Sequence, residues 1–529
     1  MATIQPVLPP TPPQTYTSIT DVSALDNSTF ARQLGCNELS YFLPSRADGV
    51  NDMYLHLGFR APPELITPSR LHAIWAVQRL KHPLLASRII SGPDVSQARF
   101  EYVVPTTVEE AIRLAAEASC FTSNSKDDLL SNYLNGPRLL SASRTSFLII
   151  ARDPEQDQKW HLMLCAMHCI GDGMALHTCA NEILSLLGAG GDVDELRQAL
   201  ALELGTKTGL PRPMEAALPS LSNKFKRAIG KVDDKLLAAK QIGGQAFPKT
   251  KGLERKTVVP TVSFDEDRTK RILSRCKANG VSVSSAIFAL CNIAWARMLA
   301  RGSVTAEMGA KLPTLMYTAL NTRSWSDQAS KDESFFRLNI GYFNVILPSF
   351  IPSDPASAHR AFWHRARLAK AQSSSAVKSR FIVARTQITA CKREEQAIKW
   401  AKIDDEVDSK RTGLPTPVST PTQEQQPALP SVGSQTPVVP QPAPSTALMG
   451  LSLLGNLDGM YKHASYGAIK LSELTTGSRQ RSGAMLLFGY TFVGKLWLCF
   501  GYDENGFERG VVEEFWNELL DGVDEILGA

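Results

Sequence analysis

Two periods of apolar residues run along this chain, and the changes between them mark its elements. Over Pro68–Lys81 the apolar residues Leu71, Ile74, Trp75, Val77 and Leu80 recur at helical spacing. That spacing predicts a helix with one buried face, stopped by His82-Pro83. Residues 84–90 and 100–104 are further apolar runs. Residues 146–151 and 160–167 are short, almost continuous apolar stretches, the pattern of strands buried on both faces. Immediately after the second stretch comes His168-Cys-Ile-Gly-Asp172-Gly173, and then a single apolar stripe (Leu176, Cys179, Ala180, Ile183, Leu184, Leu187) that predicts a helix over 174–187, closed by the glycines of 188–191.

Beyond it, the pattern weakens over 206–255, which reads as a linker. Periodicity returns with a strand over 257–264 and helices over 267–277 and 282–300. Strands follow over 315–320, 340–347, 485–492 and 496–502, and a last helix over 511–527. Near the start, residues 39–57 alternate only loosely before Leu-Gly-Phe-Arg. The expected layout is a flexible segment over 1–30, a first lobe over 31–205, the linker, and a second lobe over 256–529. Within that lobe, 414–447 is rich in Pro, Thr, Gln and Ser and too poor in apolar residues to offset its ordering entropy, so it reads as a disordered insertion. Strands and helices mixed in both halves predict layered α/β (α+β) architecture.

Composition narrows the function more by exclusion than by suggestion. With 529 residues, 43% hydrophobic and 21% charged, the chain is long enough for two cores. A formal charge of +5 without a Lys/Arg stripe argues against nucleic acid as partner. The basic stretch at 224–231 reads as a solvated helix face. Nine scattered cysteines include no C-x-x-C pair, and Cys165, Cys169, Cys276 and Cys291 read as reduced core thiols. The start lacks a signal-peptide pattern, and no stretch reads as the roughly 18 apolar residues that span a bilayer. A cytoplasmic monomer without a bound cofactor or metal is expected. No P-loop, G-x-S-x-G or G-x-G-x-x-G opening a helix is present.

The remaining chemistry centres on His168. A neutral imidazole at the end of a buried strand can take a proton from a hydroxyl near pH 7. Gly171 and Gly173 are expected to permit a tight turn after it. Asp172 has two open readings, orienting the imidazole or turning away to hold the loop through an arginine. Simple packing of the histidine, and a metal set of His168, Asp172 and His177, are the competing readings of the same residues.

This motif, H-x-x-x-D-G after an apolar strand, resembles the signature of the chloramphenicol acetyltransferase-like superfamily, which includes peptide-synthetase condensation domains, plant BAHD acyltransferases and fungal alcohol acetyltransferases. The similarity extends over about 35–525 through His82-Pro83-Leu84-Leu85 after its helix, Asn321-Thr322-Arg323, Gly341-Tyr342-Phe343-Asn344 and Ser452-Leu-Leu-Gly455-Asn-Leu-Asp458. Length and Phe488-Gly-Tyr-Thr-Phe-Val-Gly-Lys-Leu-Trp497 point to the fungal trichothecene 15-O-acetyltransferase-like branch. Met167 stands where condensation domains usually carry a second histidine, and the D-F-G-W-G string of plant members is missing. The resemblance implies two chloramphenicol-acetyltransferase-like lobes, each a mixed sheet with flanking helices, around a channel. It implies acyl transfer from acyl-CoA as co-substrate, acetyl-CoA first, to a hydroxyl of a small secondary metabolite such as a terpenoid alcohol. His168 would be the general base of a ternary complex and Arg323 the partner of Asp172. The Gly173 N–H, Asn321 and Thr491 would be oxyanion donors, and Trp75, Tyr317, Phe343 and Tyr490 the aromatic candidates for the acceptor pocket. A condensation-like enzyme using a carrier-protein thioester and a catalytically silent binding module are the alternatives.

Overall fold

The computed structural model describes residues 28–190, 192–220, 224–304, 312–412 and 445–528. Residues 1–27 of the expected N-terminal segment and 414–444 of the expected insertion lie outside them.

Two mixed sheets organise the chain. The first has five strands in the order Lys470–Ser478, Met53–Arg60, Lys159–Ala166, Ser146–Arg152, Ser119–Ser123, of which only the last pair is parallel. Strand Lys159–Ala166 is buried along all but its first residue, as its unbroken apolar run requires. The second sheet runs Ile340–Leu347, Thr314–Asn321, Met449–Asn456, Met485–Phe492, Lys495–Asp503. Its central pairs are parallel and its outer pairs antiparallel. A small third sheet joins Thr29–Gln33, Arg99–Val103 and Arg88–Ile90.

Several expectations need correction. Helix Pro68–Lys81 has the expected ends, but it is buried on more than one face, Ala73, Ala76 and Gln78 included. Its small residues let neighbours approach from several sides. Residues 39–57 hold helix Cys36–Ser45 and most of strand Met53–Arg60, rather than one loose alternation. The expected strand over 257–264 is two, Thr257–Val258 and Thr261–Phe264, both paired with Lys495–Asp503. Pro260 separates them because it has no N–H for the ladder; its carbonyl accepts the Phe500 N–H at 2.9 Å. The stretch 206–255 contains helix Lys224–Ala238, mostly exposed but with Gly230 buried and Asp233, Asp234 and Leu237 partly covered, and tied to the long helix Ile382–Thr412 by Arg385–Asp233 and Lys392–Asp234. One helix among the described residues, Val283–Arg301, is long and apolar enough to cross a membrane by length and composition; it is mostly buried inside the protein.

One strand lies outside its expected half. Lys470–Ser478, within 256–529, forms an edge of the first sheet, antiparallel to Met53–Arg60. The core of the first half therefore continues into residues of the second, with Phe336, Leu338, Tyr466, Leu474 and Tyr490 packed in it.

Candidate active site

His168 follows strand Lys159–Ala166 by two residues and precedes helix Gly173–Gly188. Its Nδ1 lies 3.0 Å from the carbonyl oxygen of Gly171. A carbonyl only accepts, so Nδ1 carries the hydrogen and Nε2 is left with its lone pair. The ring is partly open, yet burial pulls its pKa down from 6.5 to about 4, against smaller upward pulls from backbone hydrogen bonds and Asp172. The imidazole is therefore neutral at pH 7, with its basic nitrogen unprotonated.

Asp172 caps the helix. Its Oδ1 accepts the Ala175 N–H at 3.0 Å, and its Oδ2 accepts the Asn339 N–H at 2.8 Å. Arg323 Nη1 lies 3.0 and 2.9 Å from the two oxygens, and Nη2 donates to the carbonyls of Phe335 and Arg337. The carboxylate thus binds the loop after His168 to the 321–339 segment. Its described partners are a helix N–H, another backbone N–H and a guanidinium, the pattern of a loop-holding group. His177, the third member of the competing metal set, points elsewhere: it is fully buried, with Nδ1 2.8 Å from the Tyr461 hydroxyl. These three side chains do not converge on one point.

The glycines have other reasons than the expected turn. Neither Gly171 nor Gly173 has a positive φ. At Gly171 an added Cβ would meet Cε1 of the fully buried Phe336 at 2.8 Å, whereas at Gly173 the nearest atom would be Cδ2 of Leu454 at 3.8 Å. Gly171 is required by a close approach. Replacing it by Ala is expected to destabilise the protein by about 1–3 kcal/mol and displace the carbonyl that orients His168, while Gly173→Ala costs less. Urea midpoints of the two variants check this ordering.

Three residues at the site carry no local sequence signal. Tyr41, on helix Cys36–Ser45, stacks on the imidazole with ring centroids 4.1 Å apart at 21°. Its hydroxyl is hydrogen-bonded to that of Tyr342, on strand Ile340–Leu347. Arg393, from helix Ile382–Thr412, stands 4.9 Å from the Tyr41 ring centroid and 4.6 Å from that of Tyr342. Tyr41 thus covers one face of the imidazole, and Tyr342 and Arg393, from two distant segments, pack against Tyr41.

The other expected residues are distributed unevenly. Asn321 Oδ1 accepts the Arg323 N–H at 3.1 Å, which joins it to the Asp172 network. Thr491 is elsewhere on the second sheet and donates to Asn456 Oδ1 at 3.2 Å. Thr491 and Asn456, but not Asn321, line a cavity of about 500 Å³ with Gly455, Tyr490, Lys277 and Lys370. Gly455 directly follows Leu454, the residue nearest to Gly173, so this cavity ends close to the helix start. Trp75 does not reach a pocket. It is fully buried with its indole N–H on the Ala118 carbonyl, because its helix sits inside the first half. Tyr490 is also buried, with its hydroxyl on the Leu474 carbonyl, and Tyr317 is partly exposed.

No protein-family model matches the sequence, and no curated protein matches it. Solved structures match its fold. The trichothecene 15-O-acetyltransferase TRI3 from Fusarium sporotrichioides superposes with a TM-score of 0.70 at 13% identity, over 99% of each chain. The first condensation domain of the calcium-dependent antibiotic synthetase, in complex with a substrate analogue, reaches 0.59 at 11% identity, over 95% of this chain and 97% of that one. The epimerization domain from the third module of tyrocidine synthetase B reaches 0.53 at 12%, over 94% and 97%. The chain shares the fold of this acetyltransferase and of the condensation and epimerization domains.

Proposed function

We propose that this chain is an O-acyltransferase that moves an acyl group, acetyl in the first instance, from acyl-CoA to the hydroxyl of a small molecule. The observation that carries this reading is the tautomer of His168: Nδ1–H fixed on Gly171 O, with a basic Nε2 at low pKa. Nε2 takes the proton of the acceptor hydroxyl as its oxygen attacks the thioester carbonyl. The Gly171 carbonyl steadies the imidazolium that forms. The same proton then passes to the departing thiolate, so no covalent enzyme intermediate is required.

Of the oxyanion candidates, the Gly173 N–H suits the role best, since a helix leaves its first-turn donors without internal partners. Thr491 must first give up its bond to Asn456. The 500 Å³ cavity has the size for a pantetheine arm, and Lys277 and Lys370 on its wall supply positive charge for the phosphates of the CoA nucleotide. That favours a CoA thioester, although a carrier-protein arm offers the same reactive end. A terpenoid alcohol is the first acceptor class to offer, given the secondary-metabolite acyl transfer named for the trichothecene enzyme.

The test is thiol release from acetyl-CoA by the purified protein, with a panel of hydroxylated terpenoids and simple alcohols. Alcohol-dependent release supports the proposal. Release only from a loaded carrier protein would replace the donor, and none from either would leave a binding role.

The low pKa of His168 also sets the pH dependence. A base must be unprotonated to act, so kcat/KM is expected to stay level as pH falls below 6.5 and to drop only around about 4. An acid limb centred at 6–7 would show an imidazole exposed to solvent at the reacting stage.

A further inference from the structure

Helices Cys36–Ser45 and Ile382–Thr412 meet at a cluster that plays no part in the chemistry above. Cys36 is the first residue of one helix; Cys391 and Glu394 stand one turn apart on the other. The two sulfurs are 3.6 Å apart, and one donor atom from each of the three residues lies within 4.8 Å of the others. Beside them, Glu215 Oε1 accepts the Asn37 N–H at 2.8 Å, while its Oε2 is buried without a hydrogen-bond partner. Two thiols and a carboxylate gathered this closely offer three donor atoms to one cation.

We propose that Cys36, Cys391 and Glu394, with water in the fourth position, bind a zinc ion that clamps helix Cys36–Ser45 to helix Ile382–Thr412. Two Zn–S bonds of about 2.3 Å at a tetrahedral angle place their sulfurs about 3.8 Å apart, so the observed separation needs little adjustment. Mixed thiolate and carboxylate donors suit zinc better than magnesium or calcium. Cys391 is exposed and gives the ion a way in. On binding, Zn²⁺ replaces the two thiol protons, which leave to solvent, and no electron is transferred. A disulfide is the competing use of the two sulfurs. It requires them to close to about 2.05 Å and leaves the Glu394 carboxylate without a part in the cluster. The clamp also bears on the site, because the same helices carry Tyr41 and Arg393 onto His168.

The experiment is elemental analysis of the full chain after loading with zinc and desalting. Wild type should retain an equimolar amount, and so should Cys276→Ser, which lies outside the cluster. Cys391→Ser and Glu394→Gln should lose it. The exposure of Cys391 makes its variant safe for folding, and the thermal midpoint with and without chelator should differ in wild type and Cys276→Ser but not in Cys391→Ser or Glu394→Gln. A cobalt-substituted protein should show a thiolate-to-metal charge-transfer band that disappears in Cys391→Ser. Failure to retain zinc, retention that survives Cys391→Ser, or a Cys36–Cys391 disulfide in the intact mass of unreduced protein would each overturn the proposal. None of these readouts depends on acyl transfer.

Discussion

His168→Ala should lower kcat by about 10²–10⁴-fold, the range for loss of a positioned general base, with the donor KM little changed. That corresponds to about 3–5 kcal/mol of transition-state stabilisation. The fold should survive, since the imidazole makes one hydrogen bond to the chain and one ring stack. Steady-state kinetics beside a circular dichroism melt separate the two effects. A variant that melts like wild type yet keeps full activity would remove His168 from the mechanism. His168→Gln is a useful second variant, since its side-chain amide can still donate to the Gly171 carbonyl but offers no comparable base.

Asp172→Ala should instead be primarily a stability defect. It removes the cap on Ala175 and leaves the Asn339 N–H and Arg323 without their carboxylate. Breaking a buried ion pair from one side costs about 3–5 kcal/mol. The lower end is expected here because Arg323 keeps 22% of its side chain exposed and two carbonyl partners. A denaturant midpoint measures the loss. Activity should fall with the folded population and with loop order. Because the Asp172 charge raises the His168 pKa, its removal should move the acid limb of the pH profile to lower pH. A large shift with unchanged stability would mean that Asp172 tunes the base rather than holding the loop. Pairing this variant with Arg323→Ala should cost less than the sum of the two, since each removes the same contact.

Much of the fold is legible where periodicity is strong. The ends of Pro68–Lys81 and of Ile340–Leu347 can be read from their patterns. The first part of the site is legible for a similar reason, since His168, Asp172 and Gly173 lie within one short motif. The covering group is not. Tyr41 and Tyr342 are 301 residues apart, and nothing local in either segment points to the other. The cysteine cluster shows the same limit: Cys36 and Cys391 are separated by 355 positions, so spacing offers no sign of them as a pair. Gly171 illustrates a subtler failure. A glycine beside a motif suggests a turn, whereas its reason here is Phe336, which lies far along the chain. The placement of Lys470–Ser478 is likewise a tertiary choice, because Lys-Leu-Ser-Glu-Leu-Thr-Thr-Gly-Ser is compatible with an edge of either sheet.

That strand limits how the halves can move. Its ladder with Met53–Arg60 runs from Lys470 opposite Arg60 to Ser478 opposite Met53. A hinge that swung the second half away as a rigid body would have to peel this ladder apart or drag the first sheet with it. Either route exposes edge hydrogen bonds and the shared core together. Any opening between the halves is therefore expected from shifts of helices and loops, with the first sheet and the second half of the chain held together through this strand.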